Sequence, residues 1–167
     1  MTATAAFPTI RQVLWAGDNI VTFTAGESLT AGMVVGIAAT GVAWTVIGCN
    51  ATDQEIPLGV VLYDVDSGGD AAVALNGCIV YVSEGAGATI DAGDLVASDA
   101  ADSINGCVAA YTPRAAVGSF VEDQSDDTTI DGTTYVVGVA VDDFDANGTG
   151  RILIKPYVDL WTNHTVV

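Results

Sequence analysis

The sequence predicts an all-β protein: a small β-barrel or sandwich made of two pseudo-repeated halves, preceded by an extended N-terminal arm. Three observations carry this reading. The apolar runs are short, rich in Val, Ala and Thr, and punctuated by 19 Gly and 4 Pro, which is strand-and-turn composition. No window of helical length has apolar residues at i, i+3, i+4 and i+7 between proper caps. The second half of the chain also repeats the pattern of the first in the same order.

Residues 1–20 lie outside the repeat and form the arm. Phe7, Ile10, Leu14 and Trp15 are too apolar there for a solvated tail, so they are the candidate partner-binding residues. The repeat itself opens with Leu29-Thr30-Ala31-Gly32-Met33-Val34-Val35, a turn running into a strand. Ala39-Thr40-Gly41 reads as a turn between strand-length pieces at Met33–Ala38 and Val42–Ile47. Leu58-Gly59-Val60-Val61 is the next strand, and the acidic turn Asp64–Asp70 leads to Ala71–Leu75, because Asp and Gly tolerate the backbone of a hairpin turn.

Ile90-Asp91-Ala92-Gly93-Asp94-Leu95-Val96 answers the first of these segments, 61 positions on. Val137-Gly138-Val139-Ala140, the turn Asp142–Gly148 and the strand Arg151–Ile154 answer the rest, 79 positions on. The difference of 18 residues is an insertion, assigned to the solvated stretch Val121–Gly132. The expected organisation is an arm over 1–20, a single β domain over 21–160 with halves at about 21–84 and 85–160, and a tail over 161–167. At 167 residues the chain can bury roughly 70% of its unfolded surface.

Charge narrows the function. Twenty-one acidic residues face only Arg11, Arg114, Arg151 and Lys155, giving a net charge of −17. Four scattered cations cannot neutralise a phosphate backbone, so nucleic acid is not a partner. An acidic surface with a single Lys is easiest to tolerate in molar salt, which screens charges beyond about 3 Å, and this points to a halophilic host; an acidic surface tuned only for solubility is the other reading. Ser28–Thr52 carries no charge and has Gly32 and Gly36 at GxxxG spacing, but Gly41, Gly48 and several Thr favour strands over a membrane span. No basic region followed by an apolar core marks a secretory signal.

Catalytic chemistry has little to stand on. His164 is the single histidine and lies near the C-terminus. Gly26-Glu27-Ser28-Leu29-Thr30-Ala31-Gly32 resembles the Ser-containing signature of nicotinamide-nucleotide amidases, but that signature opens a helix and this context is strand-like. Asp143, Asp145, Asn147 and Gly148 match the start of a calcium loop, yet Ile154 stands where a bidentate Glu is required, so the acidic turns read as solvated hairpins. Gly85-Ala86-Gly87 lacks the third glycine of a phosphate-binding fingerprint. Cys49, Cys78 and Cys107 form no CxxC and read as buried thiols. Asn50, Asn147 and Asn163 each head an N-glycosylation acceptor sequence. No catalytic residue, cofactor or metal ligand is expected.

The run Leu29–Gly36, then Ile56-Pro57-Leu58-Gly59-Val60-Val61 and an acidic turn, recurring as Ile90–Val96 and Tyr135–Val141, resembles the capsid cement proteins of tailed viruses. Pro57-Leu58-Gly59-Val60-Val61 is also similar to an element of the small trimeric head decoration proteins of lambdoid phages. The resemblance implies a non-enzymatic virion protein on the outer surface of an icosahedral capsid, where it stabilises the shell. It further implies the major capsid protein as partner, a homotrimer, and neither nucleic acid nor membrane as ligand. The alternative is a secreted or cell-surface β-module with weak cation binding.

Overall fold

Alternation of inward apolar and outward polar side chains sets the first strand, and turns rich in Gly and Asp separate those that follow. The computed structural model describes residues 19–38, 42–49, 56–85, 87–98, 106–111 and 134–159. These contain ten strands: β1 Ile20–Ala25, β2 Val34–Ile37, β3 Thr45–Gly48, β4 Pro57–Val61, β5 Asp70–Ala74, β6 Ile79–Ser83, β7 Leu95–Ser98, β8 Val108–Ala110, β9 Thr134–Ala140 and β10 Thr149–Asp159. The chain is all-β, as its composition predicts.

The first five strands close into a barrel in the order β1-β3-β2-β4-β5. Strand β1 shows why: Phe23 and Ala25 point into the barrel while Thr22 and Thr24 face solvent, the two-residue period of a half-buried strand. Leu29, Val35, Val46, Val61, Ala71 and Val73 complete the interior with Phe23 and Ala25. Closure is made by a parallel pairing of β1 with β3, with Thr24 opposite Thr45 and Ala25 opposite Val46. The other ladders are antiparallel.

The second five strands repeat this map in the order β6-β10-β9-β7-β8. Each neighbour pair has its counterpart, and even the irregularity in β2–β4, between Val35 and Gly36, returns in β7–β9 between Val96 and Ala97. The closing parallel seam, however, is reduced to one bridge, Glu84 opposite Val108. Outside the strands, Leu29 pairs with Val65 in one lobe and Ile90 with Phe144 in the other. The echo read from the sequence is therefore a structural duplication.

The register also locates the insertion. Gly26 N–H donates to Val46 O, and Gly85 N–H to Val108 O, so β3 and β8 correspond at an offset of 62. Gly59 and Gly138 correspond at 79, since a Cβ on either would lie 2.1 Å from the carbonyl oxygen of the paired strand, Ala74 or Leu153. Seventeen of the additional residues thus fall between β8 and β9.

Val34, Cys49, Val60 and Ala74 from the outer side of the first barrel join Val80, Val82, Ile90, Val96, Val137, Phe144, Ile152 and Ile154 in one buried cluster. The two lobes consequently share a core. Strands such as β5, whose Ala71–Ala74 are buried on both faces, read as continuous apolar runs for this reason. Ile154 N–H still donates to Cys78 O just before β6, and from Tyr157 on β10 pairs with β9; the ladder is irregular between Ile154 and Tyr157, where Pro156 offers no N–H.

Candidate functional site

The acidic turns are structural locks. Asp64 Oδ1 accepts from Ala31 N–H at 3.1 Å, and its counterpart Asp143 Oδ1 accepts from Ala92 N–H at 2.8 Å. Each carboxylate thereby ties its turn to the Ala-Gly turn that opens the neighbouring strand. Gly32 and Gly93, which follow in those turns, have φ of 85° and 97°, a conformation glycine adopts without strain. Among the described residues no group of three or more His, Cys, Asp or Glu is gathered for a metal ion.

Ser28 is exposed, between the end of β1 and the Leu29 bridge, so the segment similar to the amidase signature is a strand end and a turn here. Cys49, Cys78 and Cys107 are buried, and none of them is in a disulfide. Burial pushes the Cys78 thiol above its ordinary pKa, outweighing its hydrogen bond with the Leu75 backbone; this holds it protonated and poorly nucleophilic. Arg151 pairs with Asp142 through two hydrogen bonds at the start of the acidic turn in the second lobe.

The surface offers one concentrated feature. Ile20, Ile37, Val42, Trp44, Ile56, Tyr63 and Val141 are the exposed large hydrophobic residues among those described, and all but Val141 belong to the first lobe. Ile37, Val42 and Trp44, at 48%, 59% and 66% exposure, flank the turn that joins β2 to β3. Trp44 has φ of 61°, and its indole leans on the Phe23 ring with centroids 5.6 Å apart. Its carbonyl accepts from Thr24 N–H at 2.8 Å, anchoring the hairpin end to β1.

Phe7, Ile10, Leu14 and Trp15 lie outside the described residues. The hairpin end was not singled out from the sequence, although a Trp beside a turn in a charge-free window is a readable signal. Glu84 was missed as well. It follows the inward-facing Val80 and Val82 at the next position of the same parity, and it is 3% exposed.

The fold and this surface define a class: an all-β protein of two similar five-stranded lobes, the first a closed barrel, that presents apolar side chains at one hairpin end of an acidic chain. No family model matches the chain, and no curated protein matches it. Among solved structures, the N base of the head fiber gp8.5 of bacteriophage phi29 is similar, with a TM-score of 0.50 and 19% identity over 81% of this chain and 92% of that one. The likeness is one of fold, and it falls on a phage head protein, the kind of protein the sequence motifs resemble.

Proposed function

We propose that this chain is a structural, non-enzymatic virion protein that binds the outer surface of an icosahedral capsid, with the major capsid protein as partner, and stabilises the shell. The observation that carries the reading is the likeness of fold to a phage head fiber base over most of both chains. The physical chemistry agrees. A decoration protein has to be soluble before it docks, and a net charge of −17 supplies that. The acidic turns spend Asp64 and Asp143 on neighbouring backbone N–H groups, which disfavours the cell-surface module with cation sites.

The same reading gives a homotrimer as the docking unit and, from the acidity, a halophilic host. Mass spectrometry of purified particles should find the chain at a copy number comparable with the major shell protein. Its absence from particles would remove the proposal. For the host, the melting temperature should fall as KCl is lowered from molar to low-millimolar concentration, since screening of the acidic surface is lost. An unchanged value would speak against salt adaptation.

A further inference from the structure

We infer that the end of the β2–β3 hairpin, anchored by Trp44, is the face by which this chain docks into an uncharged, apolar pocket of the capsid shell protein, leaving the acidic second lobe pointing outward. The inference rests on the proposed virion role and adds the face, the orientation and the chemistry of the partner's site.

The duplication provides an internal comparison. Residues 20–75 carry six acidic side chains and no cation, whereas residues 79–159 carry fourteen acidic side chains and three cations, for net charges of −6 and −11. Exposed large hydrophobics run the other way, with six in the first lobe and one in the second among the described residues. The hairpin lies within Ser28–Thr52, which is free of charge. Five of those fourteen acidic residues lie in the Val121–Gly132 insertion, so the repeated parts carry similar charge, and what separates the two lobes is the exposed apolar surface of the first.

Two local costs concentrate at the same hairpin end. Trp44 occupies the left-handed backbone region, where a bulky residue is an outlier and Gly or Asn is the ordinary choice. The adjacent Thr45 hydroxyl is buried, and its Oγ1 has no hydrogen-bond partner. Such costs persist where a local arrangement serves a function, as at ligand clamps. Here the arrangement holds an indole outward on a Phe23 base, a rigid aromatic of the type that dominates binding energy at interfaces.

Charge selects the occupant. A basic partner patch would call for carboxylates at the contact, and the hairpin has none. A neutral apolar pocket on a different protein suits a charge-free Trp, Val and Ile surface.

The test uses the full chain and capsid shells prepared without it, with binding followed by co-sedimentation. Trp44→Gly relieves the left-handed strain, so it should fold with unchanged circular dichroism and oligomeric state, yet bind shells about 30-fold or more weakly. Val42→Ser should also weaken binding, while Val141→Ser in the second lobe should leave it unchanged. Unchanged affinity of a folded Trp44→Gly overturns the inference and leaves the virion role standing. Loss of oligomeric state with shell binding retained also overturns it, because the hairpin would then join copies of this chain. If the wild-type chain fails to sediment with shells, the virion role and the inference fall together.

Discussion

Glu84 stands in the second lobe where Ala25 stands in the first. Each donates its backbone N–H to the glycine carbonyl that closes the acidic turn, Ala25 to Gly69 O and Glu84 to Gly148 O, both at 2.9 Å, and both residues are buried. In the first lobe the carbonyl of Ala25 accepts from Gly68 N–H at 2.7 Å. In the second, the Glu84 carboxylate takes that place, with Oε2 accepting from Asn147 N–H at 2.7 Å. Gly68 and Asn147 are equivalent and both have positive φ, 83° and 56°. The carboxylate also accepts from Gly87 and Ala88 N–H, at 3.1 and 3.2 Å, and so orders the two residues by which this loop exceeds its counterpart.

Glu84→Ala should therefore destabilise the fold by about 2–3 kcal/mol, since three N–H donors lose a charged acceptor while water can reach the exposed Gly87 and Ala88. Glu84→Gln, which keeps one acceptor oxygen, should fall between wild type and Ala. Urea unfolding midpoints measure both. A Glu84→Ala variant as stable as wild type would mean that the carboxylate does not hold the loop.

Much of this fold is legible in the sequence, and for a physical reason. Where Ala-Gly turns, Gly-Val strands and Asp turns recur, the backbone geometry demands those residue types: Gly32 and Gly93 take positive φ, and Gly59 and Gly138 let two strands approach. Such local requirements leave a mark in each copy. The closure of the first barrel by a parallel β1–β3 seam, and its near-absence in the second, leave none, because parallel pairing across 20 residues is a tertiary outcome. The docking surface was hidden likewise, since exposure of Ile37, Val42 and Trp44 depends on the lobe that does not cover them.

Gly59→Ala and Gly138→Ala should each destabilise the protein by about 1–3 kcal/mol, the usual range for overpacking a filled core. In both, the added methyl meets a backbone carbonyl oxygen at 2.1 Å, which no rotamer change relieves, so the ladder itself must shift. Gly68→Ala meets no neighbouring atom, and its cost is left-handed strain alone. Thermal unfolding of the three variants should give similar, large shifts for the first two. Dissimilar shifts would show that the two lobes do not share this packing.

Acid should act through Asp142. Its hydrogen bonds with Arg151 hold its carboxyl below the ordinary carboxylate range, against a smaller upward push from burial. A carboxyl whose pKa is lower in the folded than in the unfolded chain contributes stability fully above the unfolded value, about 4, and loses it as pH falls through the folded value. Asp142→Asn should therefore flatten the acid limb of the melting profile below about pH 4. The pair is partly exposed, so its loss should change little at neutral pH. An acid limb as steep as that of wild type would assign the acid sensitivity to other carboxylates.

The last expectation concerns the residues before the barrel. The described contacts of the first lobe begin at Asn19, whose carbonyl accepts from Leu75 N–H at 2.8 Å and whose side-chain amide donates to Asn76 O at 2.7 Å. Strand β1 starts at Ile20, so removing residues 1–16 takes none of the described strands. The truncated chain should keep its circular dichroism spectrum and its melting temperature. Phe7, Ile10, Leu14 and Trp15 would be lost with it, and burying each such side chain against a shell is worth about 1.5–3 kcal/mol before ordering costs. Shell affinity should fall by orders of magnitude. Combined with Trp44→Gly, the losses should add if the arm and the hairpin end contact separate places on the shell, and fall short of additive if they share one. A truncated chain that binds with wild-type affinity would place the whole contact on the two lobes, and Trp44→Gly alone would then abolish binding.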